Sequence, residues 1–139
     1  MSQENVEIVK AWLEALKRGD WDAVIEIAAP DAELDMSRAV GPDVGVFGPD
    51  QFRRFAAEFA GAWESVRYEA DEFIEAGDLV VVPLTTHMRG RDGIEVSARA
   101  TWVHTIRDGA IQRTVMYQER EEALEAVGLS EQDAHADSP

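Results

Sequence analysis

Residues 94–106 read IEVSARATWVHTI and lie between two Asp-Gly pairs, at 92–93 and 108–109. Further apolar runs lie beyond both pairs and extend the pattern over residues 79–119. Asp-Gly between alternating apolar runs is a strong hairpin signal, because glycine takes positive φ and so matches the twist of paired strands. The sequence therefore predicts three long antiparallel strands joined by two tight turns.

The middle strand predicts two different faces, because side chains alternate with period 2 along a strand. One face is mixed in character, and the other is apolar and predicted to be enclosed. The apolar face carries Ile94, Val96, Ala98, Ala100, Trp102, His104 and Ile106.

The composition limits the class of protein. A chain of 139 residues predicts a single domain, over residues 1–129, with residues 130–139 as a disordered polar tail. The 28 acidic residues exceed the 13 basic ones and give a net charge of −15, which repels phosphate backbones and anionic lipid. We therefore predict neither a nucleic-acid partner nor a membrane partner.

The chain contains no cysteine, which excludes disulfides, thiolate metal sites and cysteine nucleophiles. Its first residues do not read as a signal peptide, and no apolar run approaches the roughly 20 residues needed to span a bilayer. The sequence therefore predicts a cytoplasmic protein.

The remaining segments predict helices first and strands later. The apolar spacing predicts helices over 4–18, 21–28 and from 49 onward, a strand over 31–37 and a loop over 38–48. A strand follows from Val66, with a β-bulge near residues 71–72, and a short acidic helix over 120–127 follows the long strands. The order α-α-β-α-β-β-β-β plus a short C-terminal helix predicts an α+β fold. We expect a cone-shaped roll, with three helices packed on a strongly curved, mainly antiparallel sheet.

Three stretches carry a resemblance: APDAELD at 29–35, IRDGAI at 106–111 and EALEAVGL at 122–129. Together they resemble the SnoaL-like branch of the nuclear transport factor 2-like superfamily. The resemblance implies a site inside the cone and a homodimer through the outer face of the sheet. The superfamily includes ketosteroid isomerase, limonene-epoxide hydrolase, polyketide cyclases and dehydratases, and the fold does not choose among them.

We predict that a homodimer would bury five residues of the outer face. These are Arg99, Thr101, Val103, Val115 and Tyr117.

The catalytic positions of those relatives carry other residues here. The tyrosine, the catalytic base and the oxyanion-hole aspartate of a ketosteroid isomerase correspond to Trp12, Met36 and Trp102, none of which does that chemistry. The arginine and carboxylates of the epoxide hydrolase have as their nearest equivalents His87, Arg89 and Met116. The resemblance therefore implies a pocket without implying a reaction.

His87 is the sequence's candidate for a general acid or base, because imidazole titrates near neutral pH. Arg89 would point the same way and hold an oxyanion or carboxylate. Asp35 is the acid of the first strand near the expected site, although its parity puts it opposite Met36 and only a bulge would turn it inward. The alternative for His87 and Arg89 is a position at the rim of the sheet, in solvent.

Ten further residues are predicted to contact a ligand, and most are apolar, as in small-molecule sites. They are Trp12, Met36, Phe55, Phe59, Trp63, Trp102, His104, Thr114, Met116 and Gln118. His104 has an alternative role as a hydrogen-bonded structural histidine. No third ligand accompanies His87 and His104, so we predict no metal, and no cofactor motif is present.

Three functions are consistent with these features. The first is a cofactor-independent isomerase, cyclase, dehydratase or hydrolase that acts on a small apolar substrate, with His87 as acid or base. The second is a pocket protein that binds a hydrophobic metabolite without catalysis. The third is a dimerisation domain with a filled core. A cavity of ligand size would argue against the third.

Overall fold

A computed structural model describes residues 2–38 and 45–129. The predicted tail at 130–139 and most of the predicted loop at 38–48 lie outside the described residues. The elements are α1 (Ser2–Arg18), α2 (Trp21–Ile27), β1 (Ala28–Asp35), β2 (Val46–Phe47), α3 (Pro49–Ala62), β3 (Ser65–Ala70), β4 (Ile74–Ala76), β5 (Leu79–Arg89), β6 (Glu95–Arg107), β7 (Ala110–Tyr117) and α4 (Arg120–Ala126). The predicted α+β class and element order are confirmed. The short strand β2 is an addition, and residues 71–73, where the sequence predicts a β-bulge, lie between β3 and β4.

The strands form one sheet in the order β2-β1-β7-β6-β5-β3, and β4 also pairs with β5. The β1–β7 pair is parallel and the other pairs are antiparallel. Both predicted Asp-Gly turns are present. Asp108 and Gly109 have φ of 53° and 77°, and Gly93 has φ of 87°. Glycine adopts such angles without steric cost and aspartate tolerates them, so the turns allow β5 to pair with β6 and β6 with β7.

Both faces of the sheet are covered, and they belong to different cores. The inner core packs α1 and α2 against residues such as Val80 and Val82 of β5. The outer core packs Leu124 of α4 against Val81 and Val103. Neighbouring residues of β5 therefore enter opposite cores, as the pleat requires.

The first strand begins earlier than the sequence predicts. The sequence predicts a helix over 21–28 and a strand over 31–37, but α2 ends at Ile27 and β1 already begins at Ala28, so Pro30 lies within the strand. The pairing of β1 with β7 changes register between Ala28 and Glu33. Proline has no N–H to give to a ladder, and it is tolerated within a strand where the pairing is irregular.

The covering of the outer face also differs from the prediction. Of the five residues assigned to a dimer interface, four are already buried within the chain itself, namely Thr101, Val103, Val115 and Tyr117. The helix α4 supplies part of this cover, because Ala123 and Leu124 pack on the same cluster. Arg99 alone of the five remains exposed. The prediction was wrong for these four because it did not place the C-terminal helix on the outer face of the sheet.

The enclosed face of β6 is shorter than predicted. Ile106, His104 and Trp102 pack in the inner core or against it, but Val96 and Ile94 are 42% and 62% exposed. Enclosure therefore begins about midway along the strand.

Among the described helices, none combines the length and the apolar character that a membrane crossing needs.

Candidate ligand cavity

A cavity of about 360 Å³ lies between α1, α3 and the inner face of the sheet. Its walls come from α1, β1, α3 and the strands β3, β5, β6 and β7. The lining residues are Trp12, Leu16, Leu34, Met36, Phe52, Phe55, Ala56, Phe59, Tyr68, Thr86, Met88, Ala98, Arg99, Ala100, Trp102, Met116 and Gln118. The predicted hollow is therefore present and has the size of a small-molecule site.

Aromatic rings form two walls of the cavity. Trp12 from α1 meets Trp102 from β6 edge to face, with ring centroids 5.4 Å apart. On α3, Phe55 and Phe59 stand one turn apart and stack at 6.0 Å. Aromatic pairs in these geometries gain roughly 0.5–1.5 kcal/mol beyond the area they bury. The walls are therefore preformed rather than assembled by a ligand.

Three uncharged polar side chains also line the cavity. Tyr68 of β3 lies directly across from Thr86 of β5, and Gln118 follows β7. Burial raises the pKa of the Tyr68 phenol to about 12, so its hydroxyl keeps its proton at neutral pH. These groups are suited to hydrogen bonding with a neutral polar atom of a ligand.

The described lining of the cavity lacks the usual acid–base groups of active sites, which are carboxylates and imidazoles. Within the described part of the chain, its only lining residues that titrate are Tyr68 and Arg99. The Arg99 side chain is 82% exposed and lies 3.7 Å from a carboxylate oxygen of Asp71, so its charge lies in solvent. No described carboxylate or imidazole lines the cavity.

The phase of β5 differs from the prediction, which put His87 and Arg89 inside the cone. In the structure Thr86 and Met88 line the cavity, and His87 lies on the opposite face of the sheet. The prediction was wrong because residues 79–84 form an apolar run without alternation. Both parities are buried there, since helices cover both faces of the sheet. Such a run does not show which parity points inward.

The other two candidate catalytic residues also lie outside the cavity. The Arg89 side chain is half exposed, with its Nε 3.8 Å from Glu64. Asp35 accepts hydrogen bonds from the backbone N–H and the hydroxyl of Ser37, and it pairs with Arg113 at 2.9 Å. The Ser37 hydroxyl is the largest cause of its lowered pKa. Asp35 lies beside Val115 of the outer core and pairs with Arg113, so its outward parity is kept.

Seven of the ten predicted ligand contacts line the cavity: Trp12, Met36, Phe55, Phe59, Trp102, Met116 and Gln118. Trp63 continues the aromatic row beyond Phe59, at 6.5 Å, without lining it. His104 and Thr114 are buried and do not line the cavity. The prediction also omitted Tyr68 and Thr86. The alternation of Val66, Tyr68 and Ala70 along β3 was the signal that could have found Tyr68.

His104 has the role of a buried polar residue. Its ring is fully buried beside the rings of Trp12 and Trp102, at 5.1 and 6.0 Å. Its Nδ1 lies 2.7 Å from the Thr114 hydroxyl, and its Nε2 has no hydrogen-bond partner among the described residues. Burial lowers its pKa to about 3, so the imidazole is neutral at physiological pH. Within residues 2–38 and 45–129, no group of three or more potential ligands could hold a metal ion.

The comparisons with known proteins agree with this architecture. The profile of the SnoaL-like domain family matches residues 9–114, and the chain belongs to that family. A comparison with curated proteins gives no match.

Solved structures of similar shape include three informative cases. TerC, co-crystallised with polyporic acid, is 24% identical, with a TM-score of 0.74 over 89% of this chain and 98% of that one. A candidate polyketide cyclase from Sinorhizobium meliloti is 26% identical, with a TM-score of 0.64 over 79% and 93%. A Catenulispora acidiphila DSM 44928 protein of ketosteroid isomerase-like fold, in complex with trimethylamine, is 21% identical, with a TM-score of 0.70 over 88% and 93%.

Proposed function

We propose that this protein binds a small, uncharged and largely aromatic molecule in its cavity. The observation that carries the proposal is the 360 Å³ volume enclosed by aromatic and aliphatic side chains. Pockets that hold small molecules are typically about 300–1,000 Å³ and are mostly apolar, with a few convergent polar groups. Tyr68, Thr86 and Gln118 are those groups here.

The charge distribution supports an uncharged ligand. A carboxylate in this cavity would lose its hydration without gaining a cation, because the one arginine of the described lining holds its charge in solvent. An amine would likewise meet no described carboxylate. Two structures of similar fold were solved with small molecules, polyporic acid and trimethylamine, which supports small-molecule binding without naming the ligand.

The competing functions have weaker support. A dimerisation domain with a filled core does not account for the cavity. An enzyme using His87 as acid or base inside the cavity would need that side chain on the inner face, and it lies on the outer one. Binding without catalysis is therefore the function that the geometry favours.

A cavity-filling substitution tests the proposal. N-phenyl-1-naphthylamine is a neutral aromatic probe, and its binding can be followed by its own fluorescence and by quenching of Trp12 and Trp102. We expect Ala100→Leu to weaken its binding by about tenfold or more, which corresponds to roughly 1.4 kcal/mol, because the added atoms occupy the cavity.

The matched control is Thr85→Leu, which adds bulk to the opposite face of the neighbouring strand. It should leave the affinity for the probe unchanged. The proposal fails if the wild type does not bind the probe, or if Ala100→Leu binds it as tightly as the wild type does.

A homodimer through the outer face stays a prediction, and the structure narrows the surface available to it. The part of that face left open by α4 lies on β3, β5 and the first half of β6. It carries alternating charges, including Arg67, Glu69, Arg89 and Glu95. Such a surface is complementary to a second copy of itself, but charged residues are depleted at the cores of stable interfaces.

A further inference from the structure

Three polar side chains line up across adjacent strands on the outer face of the sheet. Ser97 of β6 lies directly across from His87 of β5, and Glu69 lies on β3 beyond it. The Ser97 hydroxyl is 2.9 Å from Nδ1 of His87, and Nε2 of the same ring is 3.2 Å from Oε1 of Glu69. This cluster lies on the face opposite the cavity and is independent of it.

The hydrogen bonds fix the tautomer of the imidazole. A carboxylate only accepts hydrogen bonds, and the bond with His87 is the largest cause of the lowered pKa of Glu69. The proton of the neutral ring therefore lies on Nε2 and is donated to Glu69. Nδ1 is left with its lone pair, and the Ser97 hydroxyl donates to it. A hydroxyl that donates to a base held by a carboxylate is the arrangement of an activated nucleophile.

We propose that Ser97 is an acylation site that takes an acyl group from small activated esters, with His87 as its general base. Ser97 is exposed and His87 is partly exposed, so a small ester reaches the hydroxyl without any movement of the fold. Glu69 positions the ring through its Nε2 proton.

The reaction is balanced within these groups and the ester. The Ser97 oxygen forms a bond to the acyl carbon while its proton passes to Nδ1 of His87. The bond between the acyl carbon and the leaving oxygen then breaks, and the alcohol or phenol leaves with that proton. Ser97 keeps the acyl group as an ester, and His87 returns to the neutral form.

The groups around Ser97 determine how fast we expect it to be acylated. Arg99 lies two residues from Ser97 on the same face, and Arg67 lies directly across from His87, so cationic groups are near the developing oxyanion. Both are mostly exposed, and solvent screens them. Beside Ser97, β5 is paired on both edges, with β3 and with β6, so its N–H groups do not form an oxyanion hole. We therefore expect a slow, single acylation rather than rapid turnover.

The test uses the full chain and p-nitrophenyl acetate. Release of p-nitrophenol gives the rate, and peptide mass mapping gives the acetylated residue. Ser65 serves as the control within the same molecule, because it is exposed and lies on the outer face opposite Arg89, with no hydrogen bond to an imidazole. General-base catalysis contributes typically about 10²–10⁴-fold, and we expect Ser97 to be acetylated at least about tenfold faster than Ser65.

Variants separate the roles in the cluster. His87→Gln should lower Ser97 acetylation by at least about tenfold, whereas Ser65→Ala should leave it unchanged. Glu69→Ala should lower it by a smaller factor, and the double variant His87→Gln/Glu69→Ala should be no slower than His87→Gln. That non-additivity is expected of a residue that acts through the histidine, and not of one that only stabilises the fold.

Two results would overturn the proposal. One is acetylation of Ser97 at the same rate as Ser65 in the wild type. The other is unchanged Ser97 acetylation in His87→Gln. The far-UV circular dichroism spectrum of each variant is compared with that of the wild type, so a loss of structure cannot be mistaken for a loss of the base.

Discussion

His104 shows, at the scale of a single residue, how burial fixes a protonation state. Its ring is enclosed by apolar neighbours and its one hydrogen bond is to a neutral hydroxyl, so the charged form gains nothing that replaces water. The pKa falls to about 3 for this reason. The unfolded chain has no such constraint, and its imidazole titrates near 6.5.

This difference predicts a pH dependence of stability. Below about pH 6.5 the unfolded chain binds a proton that the native state does not, so the free energy of unfolding falls as the pH falls, until about pH 3. Between pH 7.5 and pH 5.0 this one residue should remove about 2 kcal/mol. Urea unfolding at the two pH values measures it.

The double variant His104→Phe/Thr114→Val provides the reference. It removes the titrating ring together with its hydroxyl partner and so leaves no unpaired polar atom. The carboxylates titrate alike in both proteins, and the wild type should therefore lose about 2 kcal/mol more than the variant. Equal losses would show that His104 accepts a proton in the native state.

Residues differ in how well their position could be predicted from the sequence. Trp102 and His104 were placed on the inner face correctly, because β6 alternates clearly from one face to the other. His87 was placed on the wrong face, because residues 79–84, which begin its strand, are apolar at every position. Alternation of apolar and polar residues shows which side chains of a strand point inward. A strand that is covered on both faces lacks this alternation, so its sequence does not show its orientation.

At the scale of elements, α4 has a larger part than its acidic sequence suggests. Its glutamates are exposed, but Ala123 and Leu124 are buried against the outer face of β6 and β7. The sequence predicted the helix and its charged side correctly. It did not predict the packing, because one leucine and two alanines in seven residues are too few to define an apolar stripe.

Leu124→Ala tests this packing. The side chain is almost fully buried, and its removal leaves a cavity beside Val103 and Val115, so we expect a loss of about 2–5 kcal/mol of stability. The neighbouring Glu121→Ala should change it by less than about 0.5 kcal/mol. Urea unfolding compares the two. A similar small effect for both would show that α4 contributes little to the outer core.

The turns and helices were predictable for a local reason. The glycines of the Asp-Gly pairs at 92–93 and 108–109 favour the positive φ that these turns require. Pro49 favours the first turn of a helix, and α3 begins there. Such signals lie within a few residues of the feature they specify. The parallel β1–β7 pair joins residues that are about eighty positions apart, and no local pattern encodes that neighbour.

At the scale of the whole molecule, two proposals concern the same surface. It is the part of the outer face that α4 leaves open, on β3, β5 and the first half of β6, and we call it the open strip. A homodimer that closes over β3, β5 and the first half of β6 would cover Ser97, whereas acylation requires that residue to be accessible. Both can be measured on the same samples. Sedimentation velocity reports the oligomeric state, and acetylation reports exposure of the serine.

We expect acetylation of Ser97 to decrease as any dimer forms, while acetylation of exposed lysines outside the strip stays constant. A dimer whose Ser97 is acetylated as fast as in the monomer would place the interface elsewhere. A chain that sediments as a monomer at micromolar concentration would contradict the predicted homodimer. The net charge of −15 opposes association, so raised salt should favour the dimer through screening.

The position of α4 on the back of the sheet has a consequence for synthesis. Synthesis runs from the N-terminus, so each described strand is made before this helix, and Val103 and Val115 stay uncovered until residues 120–126 emerge. During that interval the outer face of the sheet exposes apolar side chains, which promote aggregation of incompletely folded chains. The strand β7 can therefore pair with β6 early, but the outer core is complete only when α4 packs on it.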